Sequence, residues 1–176
     1  MNKLEAETHT KQFAYKIARF INVNFYSDFM LNSVRCDWAS SRRSSRGGIY
    51  ANGPGINIAL AIHGPEAEHG ARKLEEYASY NSNKTIGGFY YTKKHAKLDS
   101  VVCHEVAHSL QFFSYHKTGV RCKPHGPIFK KYYAAIREEF INPYLEDQVS
   151  LKQEYDDLLH LFKGTATNVR VFAKKR

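Results

Sequence analysis

Apolar and polar residues recur along the chain with two different periods, and these periods predict its elements. Helical spacing of apolar residues near the N-terminus predicts a helix over residues 5–23. The segment INIALAI, residues 56–62, has a large apolar residue at every second position, which predicts a strand with one bulky and one slim face. The polar, basic segment 40–48 before it is typical of a loop or hairpin tip, and the charged segment 65–80 after it predicts a helix.

Three further helices are predicted in the second half of the chain. Apolar residues at 4-4-3 spacing indicate a helix over residues 98–115, with Asp99 or Ser100 as its N-cap. A proline in the first turn and an aromatic stripe indicate another helix that starts near Pro127 and extends up to Pro143, and a last helix is predicted over residues 151–162. With neither a repeat nor a linker in the pattern, we expect a single α+β domain over residues 1–176.

Composition narrows the class of protein. Apolar residues make up 43% of the 176 residues, which is typical of a globular domain, and neither a membrane span nor a secretory signal is expected. Three cysteines do not form a disulfide framework, so a reducing compartment is expected, either the cytoplasm (of a bacterium, or of a host cell for a viral protein) or a nucleus. We expect a monomer with a frayed basic tail, residues 173–176.

The net charge of +9 favours an acidic partner such as nucleic acid, although a generic solvated basic surface would give the same charge. The charge alone does not choose between these two interpretations.

The most specific motif is H-E-x-x-H, formed by His104, Glu105 and His108 on the predicted helix 98–115. The i, i+4 spacing puts both imidazoles on one face, where they can bind one zinc ion. Glu105 lies about 100° around the helix, where its carboxylate can reach a water molecule better than the metal. The alternative is that both histidines simply face solvent on an amphipathic helix.

A catalytic zinc ion needs a third protein ligand. The candidates are His125, His63, Glu138 and Glu139. Gln111 and Ser114 stand where a metzincin would have Gly and His, which excludes that class. His125 is the best candidate because prolines on both sides fix its geometry, but His63 also precedes a Gly-Pro helix start. His116 is expected to be a solvated loop residue.

The segment HEVAHSLQFF followed by HGPIFKKYYAAI resembles the SprT-like (Spartan-type) zinc metalloproteases, a group that includes the Spartan protease of DNA–protein crosslinks. The resemblance covers about residues 36–140. It implies a minimal zincin-like domain, with the H-E-x-x-H helix and further helices packed against a small sheet. It also implies one Zn²⁺ per chain on His104, His108 and His125, with Glu105 as the catalytic residue, and so decides between His125 and His63.

The function implied by this resemblance is that of a zinc endopeptidase for DNA-associated or DNA-crosslinked proteins. A substrate chain is expected to pair with the strand at Asn57, Ala59 and Ala61, whose small side chains allow close approach. Single-stranded or junction-like DNA is expected on a basic rim. The rim consists of Arg42, Arg43, Arg46, Lys117, Arg121 and Lys123.

Two other functions are compatible with the same residues. Cys122 is three residues before His125 and could complete a closed Cys-His₃ site, which would make the protein a non-catalytic, zinc-stapled DNA-binding module. The other is a zinc hydrolase with a non-peptide substrate. Cys103 is expected to be a small buried apolar residue.

Overall fold

The computed structural model describes residues 2–39, 44–63, 70–80 and 82–172, with side chains as far as Leu161. In chain order its elements are α1 (Lys3–Asn24), β1 (Ser33–Asp37), β2 (Arg46–Tyr50), β3 (Gly53–Ala59), α2 (Leu60–His63), β4 (Arg72–Leu74), β5 (Phe89–Tyr91), α3 (Ala96–Thr118), α4 (Pro127–Phe140) and α5 (Gln148–Phe172). Short 3₁₀ turns lie at Ala78–Tyr80 and Asn142–Tyr144. The expected α+β class is confirmed.

Two small sheets accompany the helices. The first has the strand order β1-β3-β2, with β1 parallel and β2 antiparallel to the central strand β3. The second is the antiparallel pair β4-β5. Helix α3 packs on β2 and β3 and also contacts α1 and α4. It therefore lies at the centre of the domain, with buried apolar residues such as Val102, Val106 and Leu110 in the core.

Local sequence signals explain where helices α1 and α4 begin. Asn2 caps α1, because its side chain accepts a hydrogen bond from the Glu5 N–H while the Glu5 carboxylate accepts one from the Asn2 N–H. Pro127 occupies the first turn of α4, where its missing N–H group costs nothing. The predicted start of α4 is confirmed, and the helix ends at Phe140, three residues before Pro143. The predicted bounds of α1 are confirmed within two residues.

Several sequence predictions need correction. The predicted strand 56–62 is helical from Leu60 onward, and the predicted helix 65–80 is wrong over its described part, which contains β4 and a 3₁₀ turn. The hairpin tip lies between β2 and β3, so the segment predicted as a tip instead contributes Arg46–Gly48 to β2. The N-cap of α3 is His95. Helix α5 runs from Gln148 to Phe172, and residues 173–176 lie outside the described residues.

A charged pair joins α1 to α3. The His9 Nε2 atom lies 2.6 Å from Asp99 Oδ1. The hydrogen bond to Asp99 raises the pKa of His9, and burial of the ring opposes this change. Close by, the ring of His95 lies 4.9 Å from that of His9, and burial and the His9 charge lower the pKa of His95.

This pair should make the stability of the fold depend on pH. Since the folded pKa of His9 is raised, the contribution is complete below its unfolded pKa, about 6.5, and disappears as pH rises through the folded value. We expect His9→Gln to lower the free energy of unfolding by about 0.5–1 kcal/mol at pH 5.5–6 and by less at pH 9. Urea titrations across this range would measure the difference. Asp99→Asn should produce the same pH dependence. If the loss of stability in either variant did not change with pH, the His9–Asp99 pair would not be its cause.

Within the described part of the chain, no helix combines the length and apolar character needed to cross a membrane.

Candidate metal centre

Three imidazoles converge where α3 meets the start of α4. His104 and His108 lie one turn apart on α3, and His125 lies two residues before the first residue of α4. The Nε2 atom of His125 is 2.8 Å from that of His108 and 3.1 Å from that of His104. One nitrogen from each ring therefore faces a common point, with all three nitrogens within 4.8 Å of one another.

These donors fit a divalent metal ion. A tetrahedral zinc ion with bonds of about 2.0–2.1 Å would separate its nitrogen ligands by roughly 3.3 Å, close to the spacing found here. Burial lowers the pKa of His104 to about 3 and that of His108 to about 4, and also lowers that of His125. All three rings are consequently neutral at physiological pH and have lone pairs available for a metal.

The ring of Phe129 contacts all three imidazoles. It is fully buried on the first turn of α4, four residues after His125. Its ring centroid lies 4.9 Å from that of His104, 4.3 Å from that of His108 and 5.0 Å from that of His125. A single aromatic side chain thus fixes the relative positions of the three rings.

Glu105 is buried beside the histidines against the edge of the sheet. Burial raises the pKa of its carboxyl to about 7, while the Gly47 N–H group of β2 acts in the opposite direction. Gly47 packs so closely that a Cβ atom there would lie 1.7 Å from the Glu105 carbonyl oxygen. A buried carboxyl with a pKa near neutrality next to a metal centre is suited to general acid–base chemistry.

The centre opens on one side into a cleft of about 530 Å³. The cleft is lined by His104 and Glu105 together with residues of several other elements, among them Ser45, His63, Leu74, Tyr77, Lys97 and Tyr155. The volume is within the range of protein ligand sites. The cleft therefore gives access to His104 and to the Glu105 carboxyl group.

Tyr77 forms the wall of the cleft nearest the histidines. Its ring centroid is 4.4 Å from that of His125 and 5.9 Å from that of His104, and 51% of the residue is exposed. The neighbouring Glu76 is anchored beneath it, accepting a hydrogen bond of 2.5 Å from the Tyr133 hydroxyl and pairing at 3.7 Å with Arg137, which is 1% exposed. This buried network attaches the wall to α4.

Sequence reasoning missed Tyr77 and Gln111. Tyr77 lies in a segment predicted to be an ordinary charged helix. The signal for it in the sequence was a pair of tyrosines, Tyr77 and Tyr80, directly after two acidic residues. Gln111 stands three residues after His108, and in the sequence its only evident role is to exclude the metzincins. Its side chain bonds both His108 and the loop before His125. The sequence signal for this role was a glutamine in the centre of an apolar helix face, because a buried amide needs hydrogen-bond partners.

The rival ligands lie outside the cluster. Among the described residues, the histidine cluster contains neither His63, which lines the cleft wall, nor Cys122, whose thiol lies 4.0 Å from the Gln111 carbonyl oxygen. Glu138 instead accepts a hydrogen bond from the Thr85 hydroxyl. The arrangement does not support a closed Cys-His₃ site. Cys103 is fully buried as expected, and His116 is exposed but lies on the last turns of α3 instead of in a loop.

The predicted substrate strand needs correction. β3 is the central strand, with β1 on one side and β2 on the other, so the backbone at Asn57 is already paired on both sides. Ala59 pairs with Asp37, and its N–H group donates to the Ser45 hydroxyl. Ala61 belongs to α2. A substrate chain cannot add beside β3, and the edge of this sheet nearest Glu105 is β2.

The predicted basic rim is spread over two places. Arg46 begins β2 and is exposed, whereas Arg121 and Lys123 are exposed in the loop after α3. Lys117, near the end of α3, forms an ion pair with Asp28. Arg42 and Arg43 lie outside the described residues.

Fold and site together define an α+β domain with an H-E-x-x-H helix and a three-histidine centre that could hold a metal ion. The family model of the SprT-like family matches residues 14–152, and the chain belongs to this family. Membership suggests a zinc-dependent, metallopeptidase-like domain. Among curated proteins and solved structures, no match to the chain is found.

Proposed function

We propose that this protein is a zinc-dependent endopeptidase whose substrates are DNA-associated or DNA-crosslinked proteins. The observation that carries the peptidase proposal is the convergence of three neutral imidazole nitrogens beside a buried carboxyl group at the wall of an open cleft. His104, His108 and His125 would hold the metal. When bound, a zinc ion lowers the pKa of a water molecule and polarises a carbonyl group.

Glu105 supplies the proton transfers. Its carboxylate accepts the proton of the water that attacks the scissile carbonyl and then donates that proton to the amine of the leaving group. A carboxyl with a pKa near neutrality can do both, because neither protonation state is strongly favoured at pH 7. The Gly47 N–H group stabilises the carboxylate form and keeps the group available as a base.

The substrate chain would lie extended along β2. This strand is the edge of its sheet nearest Glu105, and adding a strand is a common way for a protein to bind an extended peptide. Gly47 and Gly48 leave little side-chain bulk along β2. The Tyr77 ring on the other wall would limit the cleft to an unfolded or mobile segment of the substrate.

The DNA part of the proposal rests on charge. The chain has a net charge of +9, and Arg46, Arg121 and Lys123 are exposed. Phosphate contacts from such residues would bring a DNA-bound protein to the cleft without reading a base sequence.

The deciding experiment is cleavage of a small DNA-binding protein, free or bound to a single-stranded oligonucleotide. The enzyme is first treated with a chelator and then restored with zinc. We expect cleavage only after zinc is restored and mainly with DNA present. Cleavage that does not depend on DNA would leave the peptidase and remove the DNA role. Absence of cleavage by the zinc-loaded protein would contradict the peptidase proposal and favour a non-peptide substrate.

A salt titration of oligonucleotide binding tests the rim separately. Exchanging Arg121 and Lys123 for alanine should reduce the slope of log K against log salt by about 0.7 for each phosphate that the variant no longer neutralises. Lys131→Ala, an exposed lysine of α4, is the matched control and should leave the slope unchanged. Equal slopes for all variants would remove these residues from the DNA interface.

A further inference from the structure

The side chain of Gln111 links two of the three histidines, although it contacts only one of them. Gln111 is fully buried on α3, where an uncharged amide is costly unless its hydrogen bonds are satisfied. Its Nε2 atom donates to the Lys123 carbonyl oxygen at 2.8 Å. Its Oε1 atom lies 3.2 Å from the Nδ1 atom of His108.

These two bonds determine which nitrogen of His108 carries the proton. A backbone carbonyl oxygen can only accept, so the amide must turn its NH₂ group to Lys123 and its oxygen to His108. An oxygen acceptor requires that Nδ1 of His108 be the donor. The neutral ring then keeps its lone pair on Nε2, the atom that faces His104 and His125.

The same carbonyl oxygen of Lys123 shapes the loop that presents His125. It also accepts the Gly126 N–H group at 2.9 Å, which closes a tight turn over residues 123–126. Within this turn His125 has a φ of 57°, in the left-handed region that residues other than glycine rarely adopt. Such a conformation persists only when its surroundings hold it.

We propose that Gln111 is a positioning residue that couples the helix-borne ligand His108 to the loop-borne ligand His125. One bond sets the tautomer and orientation of His108, and the other holds the turn in which His125 reaches the common point. The proposal rests on the proposed function only in taking zinc as the metal. Removing a group that orients a ligating histidine typically costs 10–100-fold in metal affinity.

The test measures zinc affinity and the histidine tautomers in the full chain. Gln111→Met removes both hydrogen bonds at similar volume, and Gln111→Glu keeps an acceptor for His108 but no N–H donor for Lys123. Zinc dissociation constants come from competition with a chelator. Long-range ¹H–¹⁵N spectra of the zinc-free protein report which nitrogen of each imidazole is protonated. Gln153→Met, the same exchange on the exposed face of α5, is the matched control.

We expect Gln111→Met to bind zinc 10–100-fold more weakly and to lose the pure Nδ1–H tautomer of His108. Gln111→Glu should keep that tautomer and still bind more weakly than wild type, because the turn before His125 is released. If Gln111→Met does not fold, the zinc affinity of Gln111→Glu tests the proposal instead. Wild-type affinity in whichever variant folds would overturn the proposal, as would a tautomer mixture in wild type. Since neither readout needs cleavage, a zinc-binding but inactive wild type would contradict the proposed function and leave this inference standing.

Discussion

Glu105→Gln is expected to lower kcat/KM for peptide cleavage by about 10²–10⁴-fold and to leave zinc affinity within about twofold. The amide has the same shape as the carboxyl but cannot accept the proton of the attacking water. Metal binding should survive because the three imidazoles, and not Glu105, form the cluster. The measurement is steady-state cleavage beside chelator competition on the same samples.

Glu138→Gln is the matched control for this prediction. It makes the same exchange on α4, at a carboxylate that accepts a hydrogen bond from Thr85, and should retain nearly full activity. If Glu105→Gln kept wild-type activity, the group that accepts the proton would have to be sought elsewhere. If it lost zinc as well, the loss of activity would no longer report proton transfer.

The dependence of wild-type activity on pH should also report the role of Glu105 as a base. Burial raises the pKa of Glu105 to about 7, and the carboxylate is the form that acts as a base. Activity is therefore lost as pH falls through this pKa. A bound divalent cation favours the carboxylate, so the acid limb of the profile is expected at or below pH 7.

Gly47→Ala is expected to destabilise the protein by about 3–5 kcal/mol, near the upper end for single substitutions. The added Cβ atom would lie 1.7 Å from the Glu105 carbonyl oxygen and 3.1 Å from its Cα atom, so β2 and α3 must separate. Both contacts are with backbone, which cannot rotate away. Since this separation also moves Glu105 relative to the Gly47 N–H group, any folded fraction should cleave poorly.

Gly48, the next residue of β2, provides the control for the destabilisation expected from Gly47→Ala. Among the described residues, an added Cβ at Gly48 meets only Phe112, at 3.9 Å, which is an ordinary contact. Gly48→Ala should therefore change the free energy of unfolding by less than about 1 kcal/mol. Urea denaturation of both variants measures the contrast. Equal effects from the two substitutions would mean that general strand propensity, and not the approach of β2 to α3, is responsible.

Signals that lie within a few consecutive residues were predictable. The start of α4 follows from Pro127, and the shared face of His104 and His108 follows from helical periodicity. The third histidine needed more than a local signal, because His63 and His125 both precede a Gly-Pro pair. The resemblance to the SprT-like family chose His125, and the structure brings that residue to the other two.

What the sequence by itself determined is the class of domain and the chemistry-bearing residues of its central helix, because helix periodicity and capping act over four residues or fewer. The tertiary structure alone decided which strand is central, so that β2 and not β3 is left as the sheet edge beside Glu105. It also decided that part of the charged segment before β5 forms strand β4 and pairs with β5. The residues after β4 then place the Tyr77 ring beside His125. The Gln111 side chain bonds Lys123, twelve positions further along the chain. Each of these depends on contacts between distant segments, whose partners no local pattern of hydrophobic and polar residues specifies.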